Sequence, residues 1–185
     1  MAEAGDDSGM KKSLYFVAVV PHEELRLKAR MFSKDFAERF DSVKSYINFP
    51  HITIIKPFEF QEIKEKYLIE KFSSMELKSS PFEEFLDGFG SFKNTKNPTI
   101  YLKPKNAEEI TRLYEEVQQQ LPFYPVTTFH PHLTVAYRDL TLENFQKAWT
   151  EYESKFFEDS FIVDKVCLYK HFEGKWHLIK TKNLN

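Results

Sequence analysis

The hydrophobic and polar positions of the chain predict strands that alternate with helices. Several short apolar runs have the length and the β-branched content of buried strands, and longer segments between them carry apolar residues at spacings of three and four. The predicted strands are Leu14–Val20, "HITII", "TIYLKP" and "HLTVAY", and the predicted helices are Pro21–Phe40, Glu62–Phe72, Ala107–Leu121 and Leu142–Tyr152.

Glycine and proline mark where these elements are expected to bend or end. The strand "HITII" is expected to stop at Pro57, because proline cannot donate to a strand ladder. Gly88 and Gly90 predict a bent strand or hairpin in "PFEEFLDGFGSF", near a groove. Glu173 and Gly174 predict the turn of a hairpin that closes the chain in "FIVDKVCLYKHFEGKWHLIK".

Length, charge and cysteine content narrow the class of protein. The 185 residues fit one domain, or two small lobes that share a core. A net charge of −2 argues against a protein that coats nucleic acid by long-range attraction, although a small basic site for one or two phosphates remains compatible. The single cysteine, Cys167, excludes an internal disulfide framework and a cysteine-based zinc site.

The N-terminal residues are interpreted separately from the folded domain. Residues 1–10 are polar and small and are predicted to be a leader or a disordered tail, whereas residues 11–185 are predicted to form a single two-lobed domain. The apolar run Leu14–Val20 is short for a signal peptide and ends at a charged helix start, so it is interpreted as a buried strand. Because no run approaches the roughly 20 apolar residues of a membrane span, we expect a cytoplasmic protein with no membrane contact.

One five-residue pattern, Pro-His-aliphatic-Thr-aliphatic, occurs twice in the chain, and we call each copy a phrase. "PHITI" begins at Pro50 and "PHLTV" begins at Pro131, 81 residues later, which is close to half of the ordered chain. Each phrase follows an apolar strand and a long helix and precedes a further helix and a long β segment. This spacing is typical of a duplicated lobe, and no Gly-, Ser- or Pro-rich linker separates the halves.

The alternation of a strand predicts what each phrase presents. Side chains at positions i and i+2 point to the same face, so His51 and Thr53 project together while Ile52 faces the core. His132 and Thr134 project together in the same way. If a pseudo-twofold axis relates the halves, the two pairs face each other across a groove.

Two histidines and two threonines suit chemistry at a phosphodiester. Histidine titrates near neutral pH, so one imidazole can accept a proton from a nucleophile while the other gives a proton to a leaving group. Threonine hydroxyls can donate hydrogen bonds to an anion held between them. An in-line displacement at phosphorus needs this combination of base, acid and donors.

Two other interpretations stay open. The recurrence could be coincidental or purely structural, but Pro21-His22 shows that a Pro-His pair elsewhere in the chain lacks the threonine. A zinc site could use His130, His132 and His51, since "HPH" places two histidines two residues apart. No Asp, Glu or Cys lies near either phrase to complete such a site.

The paired His-x-Thr motifs resemble those of the 2H phosphoesterase superfamily, and within it the bacterial 2′-5′ RNA ligase and RNA 2′,3′-cyclic phosphodiesterase group. The resemblance covers most of Leu14 to Lys180 in motif placement and element order. It implies an α+β fold with two pseudo-twofold-related lobes, in which antiparallel β-sheets line a central groove and helices pack outside. It also implies metal-independent chemistry without a cofactor, such as opening of a 2′,3′-cyclic phosphate or joining of RNA ends through a 2′-5′ bond.

The resemblance assigns roles to individual residues. His51 and His132 would be the acid/base pair, and the sequence leaves open which is the base. Thr53 and Thr134 would bind the phosphate. Arg138 follows the second motif by four residues from Thr134 and would pair with a phosphate oxygen if the strand continues.

Further residues are candidates with weaker positional support. Lys56 lies five residues after His51 and should face away from the groove unless the strand bends. Four aromatic side chains are candidates for stacking on a base: Phe58, Phe129, Tyr124 and Tyr137.

The sequence therefore predicts a metal-independent phosphoesterase that acts on an RNA end or a small nucleotide bearing a 2′,3′-cyclic or 2′-5′ phosphate. We expect a monomer without an obligate protein partner. The alternative is a non-catalytic module that binds RNA ends or nucleotides in the same groove. Two titrating histidines favour the enzyme, because simple phosphate binding would more naturally use Arg or Lys.

Overall fold

A computed structural model describes residues 11–93, 96, 98–105, 107–121 and 128–185. These residues form eight β-strands and five α-helices. The strands are β1 (Lys12–Val19), β2 (Ile52–Gln61), β3 (Phe82–Phe92), β4 (Thr99–Pro104), β5 (Leu133–Ala136), β6 (Glu158–Val163), β7 (Lys165–Phe172) and β8 (Lys175–Asn183). The helices are α1 (Glu23–Arg39), α2 (Lys44–Ile47), α3 (Glu65–Ser73), α4 (Ala107–Gln120) and α5 (Leu142–Tyr152). The predicted leader, residues 1–10, lies outside the described residues.

The eight strands form one antiparallel sheet in the order β6-β3-β4-β5-β2-β1-β7-β8. Strands β2 and β5, which carry the two repeated phrases, lie side by side at its centre. They pair through Ile52 and Leu133, which are the third residues of the two phrases. The pseudo-twofold axis therefore passes between these residues.

The axis divides the sheet into two lobes. The His51 lobe contains β2, β1, β7 and β8, and the His132 lobe contains β5, β4, β3 and β6. Each half of the sequence contributes a strand to the other lobe. Strand β3 of the first half pairs with β4 in the His132 lobe, and β7 of the second half pairs with β1 in the His51 lobe. The two-lobed α+β architecture expected from the sequence is thus confirmed, with both lobes sharing a continuous sheet.

The main core lies between the sheet and the four longer helices. Each of these helices places a fully or nearly fully buried side chain in it, for example Phe36, Phe72, Leu113 and Phe145. Burial of such a side chain stabilises the fold by about 1.5–3 kcal/mol. None of the helices in the described part of the chain is both long and apolar enough to cross a bilayer.

The opposite face of the His51 lobe carries a second, smaller cluster. On β1, Tyr15, Val17 and Val19 belong to the main core, whereas Phe16 and Ala18 pack on the other face with Cys167 and Tyr169. This alternation explains why β1 is apolar at every position from Tyr15 onward, because both of its faces are covered.

Two of the predicted strand boundaries were wrong. Strand β2 does not stop at Pro57 but continues to Gln61, with register shifts against β1 on either side of Val17. Pro57 is tolerated because β2 pairs with β5 only at Ile52, so that edge is free of ladder bonds at Pro57 in the described structure. The C-terminal segment contains the predicted hairpin, formed by β7 and β8 with its turn at Glu173 and Gly174, but its first residues belong to a separate strand, β6.

The two glycines of β3 serve different purposes. Gly88 has φ 67° and lies at the register shift between Leu86 and Phe89, where a side chain would be strained. Gly90 lies directly beneath Tyr101, and an added Cβ would be 2.5 Å from the ring Cζ. Gly90 thereby lets Tyr101 lie flat on the sheet beside His132, whose ring centroid is 5.4 Å away.

Candidate active site

A groove on the sheet face opposite the main core brings the two repeated phrases together. We define it as the central groove, with a cavity volume of about 510 Å³. His51, Thr53, His132 and Thr134 all line it, and each is partly exposed. Their aliphatic neighbours Ile52, Ile54, Leu133 and Val135 are buried, as the alternation predicted.

The strand register places each histidine opposite the threonine of the other phrase. Because β2 and β5 are antiparallel and pair at Ile52 and Leu133, Thr53 faces His132 and His51 faces Thr134 when the register continues by one residue. In a regular antiparallel ladder, directly opposite side chains have Cβ atoms about 4.5–5.5 Å apart and diagonal neighbours lie about 7–8 Å apart, which is the separation expected for His51 and His132 in this register. That separation accommodates one phosphate between the imidazoles.

Both imidazoles are held in the same way by the backbone. His51 Nδ1 lies 2.8 Å from the Phe49 carbonyl oxygen, and His132 Nδ1 lies 2.6 Å from the His130 carbonyl oxygen. A carbonyl can only accept, so each Nδ1 is the protonated donor and each Nε2 of the neutral ring is an acceptor. The structure thus leaves both Nε2 atoms available for proton transfer.

The repeated proline accounts for this shared geometry. Pro50 and Pro131 stand between each histidine and the residue whose carbonyl accepts its hydrogen bond. Proline fixes its own φ near −65° and restricts the preceding residue to extended conformations. The proline therefore holds the carbonyl in position to orient the imidazole, which explains why it recurs with His and Thr.

Burial makes both histidines neutral at physiological pH. Desolvation lowers the pKa of His51 to about 4, the hydrogen bond to the Phe49 carbonyl opposes the shift, and repulsion from His132, when that ring is protonated, adds to it. Desolvation also lowers the pKa of His132, assisted by the nearby charges of Lys56 and His130. A bound anion reverses part of both shifts, because it favours the charged imidazolium.

Arg138 and Tyr137 also line the central groove, but not because the strand continues. Strand β5 ends at Ala136, and Arg138 has φ 67°. The Asp139 amide donates to the Tyr137 carbonyl at 2.9 Å, so the chain makes a γ-turn centred on Arg138. Such backbone strain costs about 1–3 kcal/mol and is concentrated at functional sites. The Arg138 guanidinium carbon lies 5.2 Å from the Tyr137 ring centroid.

A second cavity adjoins the central groove, and we call it the side pocket. Its volume is about 320 Å³, and it shares Thr53, Pro57 and His132 with the groove. Lys56 lines it, contrary to the orientation predicted by strict alternation. The register shifts of β2 explain this difference, because Ile54 and Ile55 are both buried and Lys56 and Pro57 are both exposed.

The four aromatic candidates have different positions. Tyr137 lines the central groove, and Phe129 lines the side pocket, where it stacks on Tyr114 with ring centroids 4.3 Å apart. Phe58 is only 7% exposed and packs against Tyr15 in the main core, so a stacking role for it is incorrect. Tyr124 lies outside the described residues.

Sequence reasoning missed an aromatic wall on the His51 lobe. Phe16, Phe49, His171 and Trp176 line the central groove, and the Trp176 ring lies 4.5 Å from Phe16 and 5.0 Å from His171. The only available signal was the alternation in "KHFEGKWH", which places His171 and Trp176 on one face of the β7–β8 hairpin. The groove therefore extends from the two histidines across β1 and β7 to β8.

The donor set for the alternative zinc site is not assembled. Within the part of the chain that the structure describes, no three metal-ligating side chains converge. His130 is exposed, and it contributes its carbonyl oxygen to His132.

Comparisons with known proteins agree with this geometry. A Geobacillus kaustophilus protein named "Putative phosphoesterase" is 28% identical over 152 residues, which cover 81% of this chain and 86% of that protein. A relative from Geobacillus sp. WCH70 with a similar name is 27% identical and covers 90% of this chain and 94% of its own length.

Solved structures show the same fold. E. coli LigT complexed with 3′-AMP superposes with a TM-score of 0.64 at 17% identity, over 95% of this chain and 99% of that chain. TT0787 of Thermus thermophilus superposes with a TM-score of 0.66 at 18% identity, over 92% of this chain and 97% of that chain. The profile of the 2′-5′ RNA ligase superfamily matches residues 18–175, which include both His-x-Thr motifs. The chain therefore belongs to the 2′-5′ RNA ligase superfamily, as the resemblance of its motifs implied.

Proposed function

We propose that this protein is a metal-independent phosphoesterase that acts on RNA 2′,3′-cyclic phosphate or 2′-5′ phosphodiester linkages, at an RNA end or in a small nucleotide. One observation carries the proposal. Two imidazoles, each with Nδ1 bonded to a backbone carbonyl and Nε2 left as acceptor, line one groove together with two threonines, beside the pairing of Ile52 with Leu133. The cytoplasmic location, the monomeric state and the independence of any cofactor stay predictions.

The reaction follows from the placement of these four side chains. The neutral Nε2 of one histidine accepts a proton from water, whose oxygen forms a bond to phosphorus. The bond between phosphorus and one ribose oxygen breaks, and the protonated Nε2 of the other histidine donates a proton to that oxygen. Thr53 and Thr134 donate hydrogen bonds to the two non-bridging oxygens, where negative charge increases.

The same arrangement supports 2′-5′ ligation, in which a 5′-hydroxyl replaces water as the nucleophile on a 2′,3′-cyclic phosphate. One histidine accepts its proton as the oxygen bonds to phosphorus, the bond from phosphorus to the 3′ oxygen breaks, and the other histidine protonates that oxygen, which leaves a 2′-5′ diester and a 3′-hydroxyl. Because both reactions use the same acid and base, the substrate that is present determines the outcome.

The lowered histidine pKa values predict an acidic optimum for kcat/KM. One imidazole must be neutral, and its neutral fraction falls as the pH drops toward about 4, the pKa of His51. The other must be protonated, and its protonated fraction falls as the pH rises through the His132 pKa, which lies below 6.5. We therefore expect a bell-shaped profile with its maximum between these values, with apparent pKa values that belong to the pair.

The profile of kcat should be displaced to higher pH, because the bound anion raises both pKa values. The measurement is steady-state kinetics across this range with a phosphodiester that does not itself titrate there. A kcat/KM that is constant from about pH 4 to 8 would contradict the acid/base assignment.

The aromatic wall supports a nucleotide as the substrate. It extends over β1, β7 and β8, so Trp176 lies on the third strand from the one that follows His51. Neighbouring strands of a sheet are about 4.8 Å apart. Solved complexes of E. coli LigT with 3′-AMP, NADP+ and ATP are consistent with nucleotide binding in this fold. We propose that a base stacks on Trp176 while the phosphate lies between the histidines.

Replacing Trp176 by Ala should raise KM about 10-fold and change kcat less. Base–aromatic stacking contributes about 1–3 kcal/mol per base, and the ring does not contact the reacting atoms. Steady-state kinetics with adenosine 2′,3′-cyclic phosphate gives both constants, and Trp176→Phe, which keeps a ring, should retain most of the affinity. An unchanged KM in Trp176→Ala, with an unchanged Tm, would exclude this wall as the base-binding surface.

The proposed function is tested with a panel of 2′,3′-cyclic, 2′-5′-linked and 3′-5′-linked substrates assayed in EDTA. We expect turnover of the cyclic or the 2′-5′ substrate and no effect of EDTA. Binding without turnover would support a non-catalytic nucleotide-binding module instead. Activity that EDTA abolishes and zinc restores would support the metal-dependent alternative.

A further inference from the structure

A buried serine hydroxyl lies at the edge of the central groove without a hydrogen-bond partner among the described residues. Ser45, on α2, is 7% exposed, and its Oγ has no hydrogen-bond partner within the described part of the chain. Buried hydroxyls in folded proteins almost always have a partner. Ser45 lines the central groove, and a rotation about its χ1 can turn the buried Oγ towards a bound ligand, which would then provide that partner.

Arg138 lines the same groove and is tied to Ser45 through one carboxylate. Asp139 Oδ1 accepts from Ser42 Oγ at 3.0 Å, and Asp139 Oδ2 accepts from the Val43 and Lys44 amides at 2.9 Å each. Ser45 directly follows Lys44 in α2, and Arg138 directly precedes Asp139 in the γ-turn. Asp139 thus joins the start of α2 to the end of β5 and fixes both groove-lining residues relative to each other.

The carboxylate also shows that the start of α2 is not itself an anion site. Its first amides already donate to Asp139. The groups left to contact a ligand here are the Ser45 hydroxyl and the Arg138 guanidinium, which makes no ion pair with any described carboxylate. One neutral donor and one cation are the partners of an oxyanion.

The reacting phosphate does not need these two groups. In the proposed function, the histidines serve its attacking and leaving oxygens, and Thr53 and Thr134 serve its two non-bridging oxygens. Arg138 follows Thr134 by four residues, so its backbone lies up to about 13 Å further along the chain direction. Ser45 and Arg138 therefore have the chemistry and the position for a different oxyanion of the substrate.

We propose that Ser45 and Arg138 form a subsite for a second phosphate, beside the one that reacts. The inference rests on the proposed function for the position of the first phosphate. It makes the preferred substrate a nucleotide with an additional phosphate, such as an oligoribonucleotide end or a 5′-phosphorylated nucleotide, over a mononucleoside cyclic phosphate. Asp139 is then a positioning residue for the subsite.

Equilibrium binding of two probes tests the subsite without any turnover. The probes are adenosine 3′-monophosphate and adenosine 3′,5′-bisphosphate, measured by calorimetry with the wild type, Arg138→Asn and Ser45→Ala. Asparagine is chosen because it tolerates positive φ and removes the charge. We expect the wild type to bind the bisphosphate about 10-fold more tightly, as charge-assisted hydrogen bonds would give. Both variants should lose most of this preference and bind the monophosphate within about twofold of the wild type.

Two matched controls separate binding from folding. Arg112→Asn removes an exposed arginine of α4, and Ser33→Ala removes a buried serine whose Oγ donates to the Ala29 carbonyl. Neither should change the preference for the bisphosphate. Ser45→Ala should keep or raise the Tm, since it removes a buried hydroxyl without a partner, whereas a serine with a structural role would lower it.

The results separate this inference from the proposed function. Equal affinity of the wild type for both probes would overturn the subsite, as would equal weakening of both probes in Arg138→Asn, which would assign Arg138 to the reacting phosphate. Preferential binding of the bisphosphate by a wild type that turns over neither the cyclic nor the 2′-5′ substrate would support the subsite and contradict the proposed phosphoesterase activity.

Discussion

His51→Ala and His132→Ala should each lower kcat for a 2′,3′-cyclic phosphate by about 10²–10⁴-fold, the usual contribution of a general acid or base. The physical reason is that each removes the Nε2 that accepts or donates a proton in the displacement. The double variant should be little worse than the poorer single variant, because a residual acid cannot act without its base. Steady-state or single-turnover kinetics in EDTA gives these values.

A histidine outside the groove provides the matched control. His177 lies on β8, is exposed, and contacts the Phe172 carbonyl through Nε2. His177→Ala should retain wild-type activity within about twofold, since surface substitutions rarely perturb a distant site. Full activity in the double variant His51→Ala/His132→Ala would exclude the mechanism.

Thr53→Val and Thr134→Val should each lower kcat by about 10²–10³-fold, which is typical for the loss of one donor to a developing oxyanion. Valine keeps the shape and the strand preference of threonine and removes only the hydroxyl. Because the hydroxyls contact charge that grows in the transition state, kcat should change more than KM. The measurement is the same assay, with kcat and KM determined separately.

Thr181→Val is the corresponding control on an exposed position of β8, away from the groove. It should change neither constant by more than about twofold. If Thr53→Val and Thr134→Val raised KM and left kcat unchanged, the hydroxyls would bind the ground state only, and their assignment to the transition state would be wrong.

The sequence predicted the centre of the site because that part depends on simple alternation. In each phrase the aliphatic residues alternate with His and Thr, so one face had to be buried and the other had to present both polar side chains. The half-chain spacing of the phrases predicted a pseudo-twofold relation, and the pairing of Ile52 with Leu133 shows it directly. The role of the proline became clear only from the carbonyl contacts of the two Nδ1 atoms.

The parts that the sequence could not predict depend on local departures from regular geometry. Lys56 was expected to face away from the site, but the register shifts in β2 direct it to the side pocket. Arg138 was expected to lie in the groove because the strand continues, whereas it lies there because of a γ-turn. Neither a bulge nor a turn whose own carboxylate binds a distant helix start leaves a clear signal in one sequence.

The aromatic wall was missed for a topological reason. Phe16, His171 and Trp176 come from β1, β7 and β8, and β7 enters the His51 lobe by crossing from the other half of the chain. Apolar patterning predicts that such strands are buried but not which strands become neighbours. In so aromatic a chain, with 19 Phe and 9 Tyr, position relative to the groove is what distinguishes a stacking ring from a core ring.

The central claim is that the two histidines act as a distinct acid and base on one phosphate, and a change of leaving group tests it most directly. A nucleotide p-nitrophenyl phosphodiester expels an anion that needs no proton, so loss of the general acid should matter little for it, while loss of the base should remain severe. We predict that one of His51→Ala and His132→Ala, but not the other, regains most of the wild-type kcat/KM on this ester. Equal losses of both variants on the ester and on the 2′,3′-cyclic phosphate would contradict the assignment of one acid and one base.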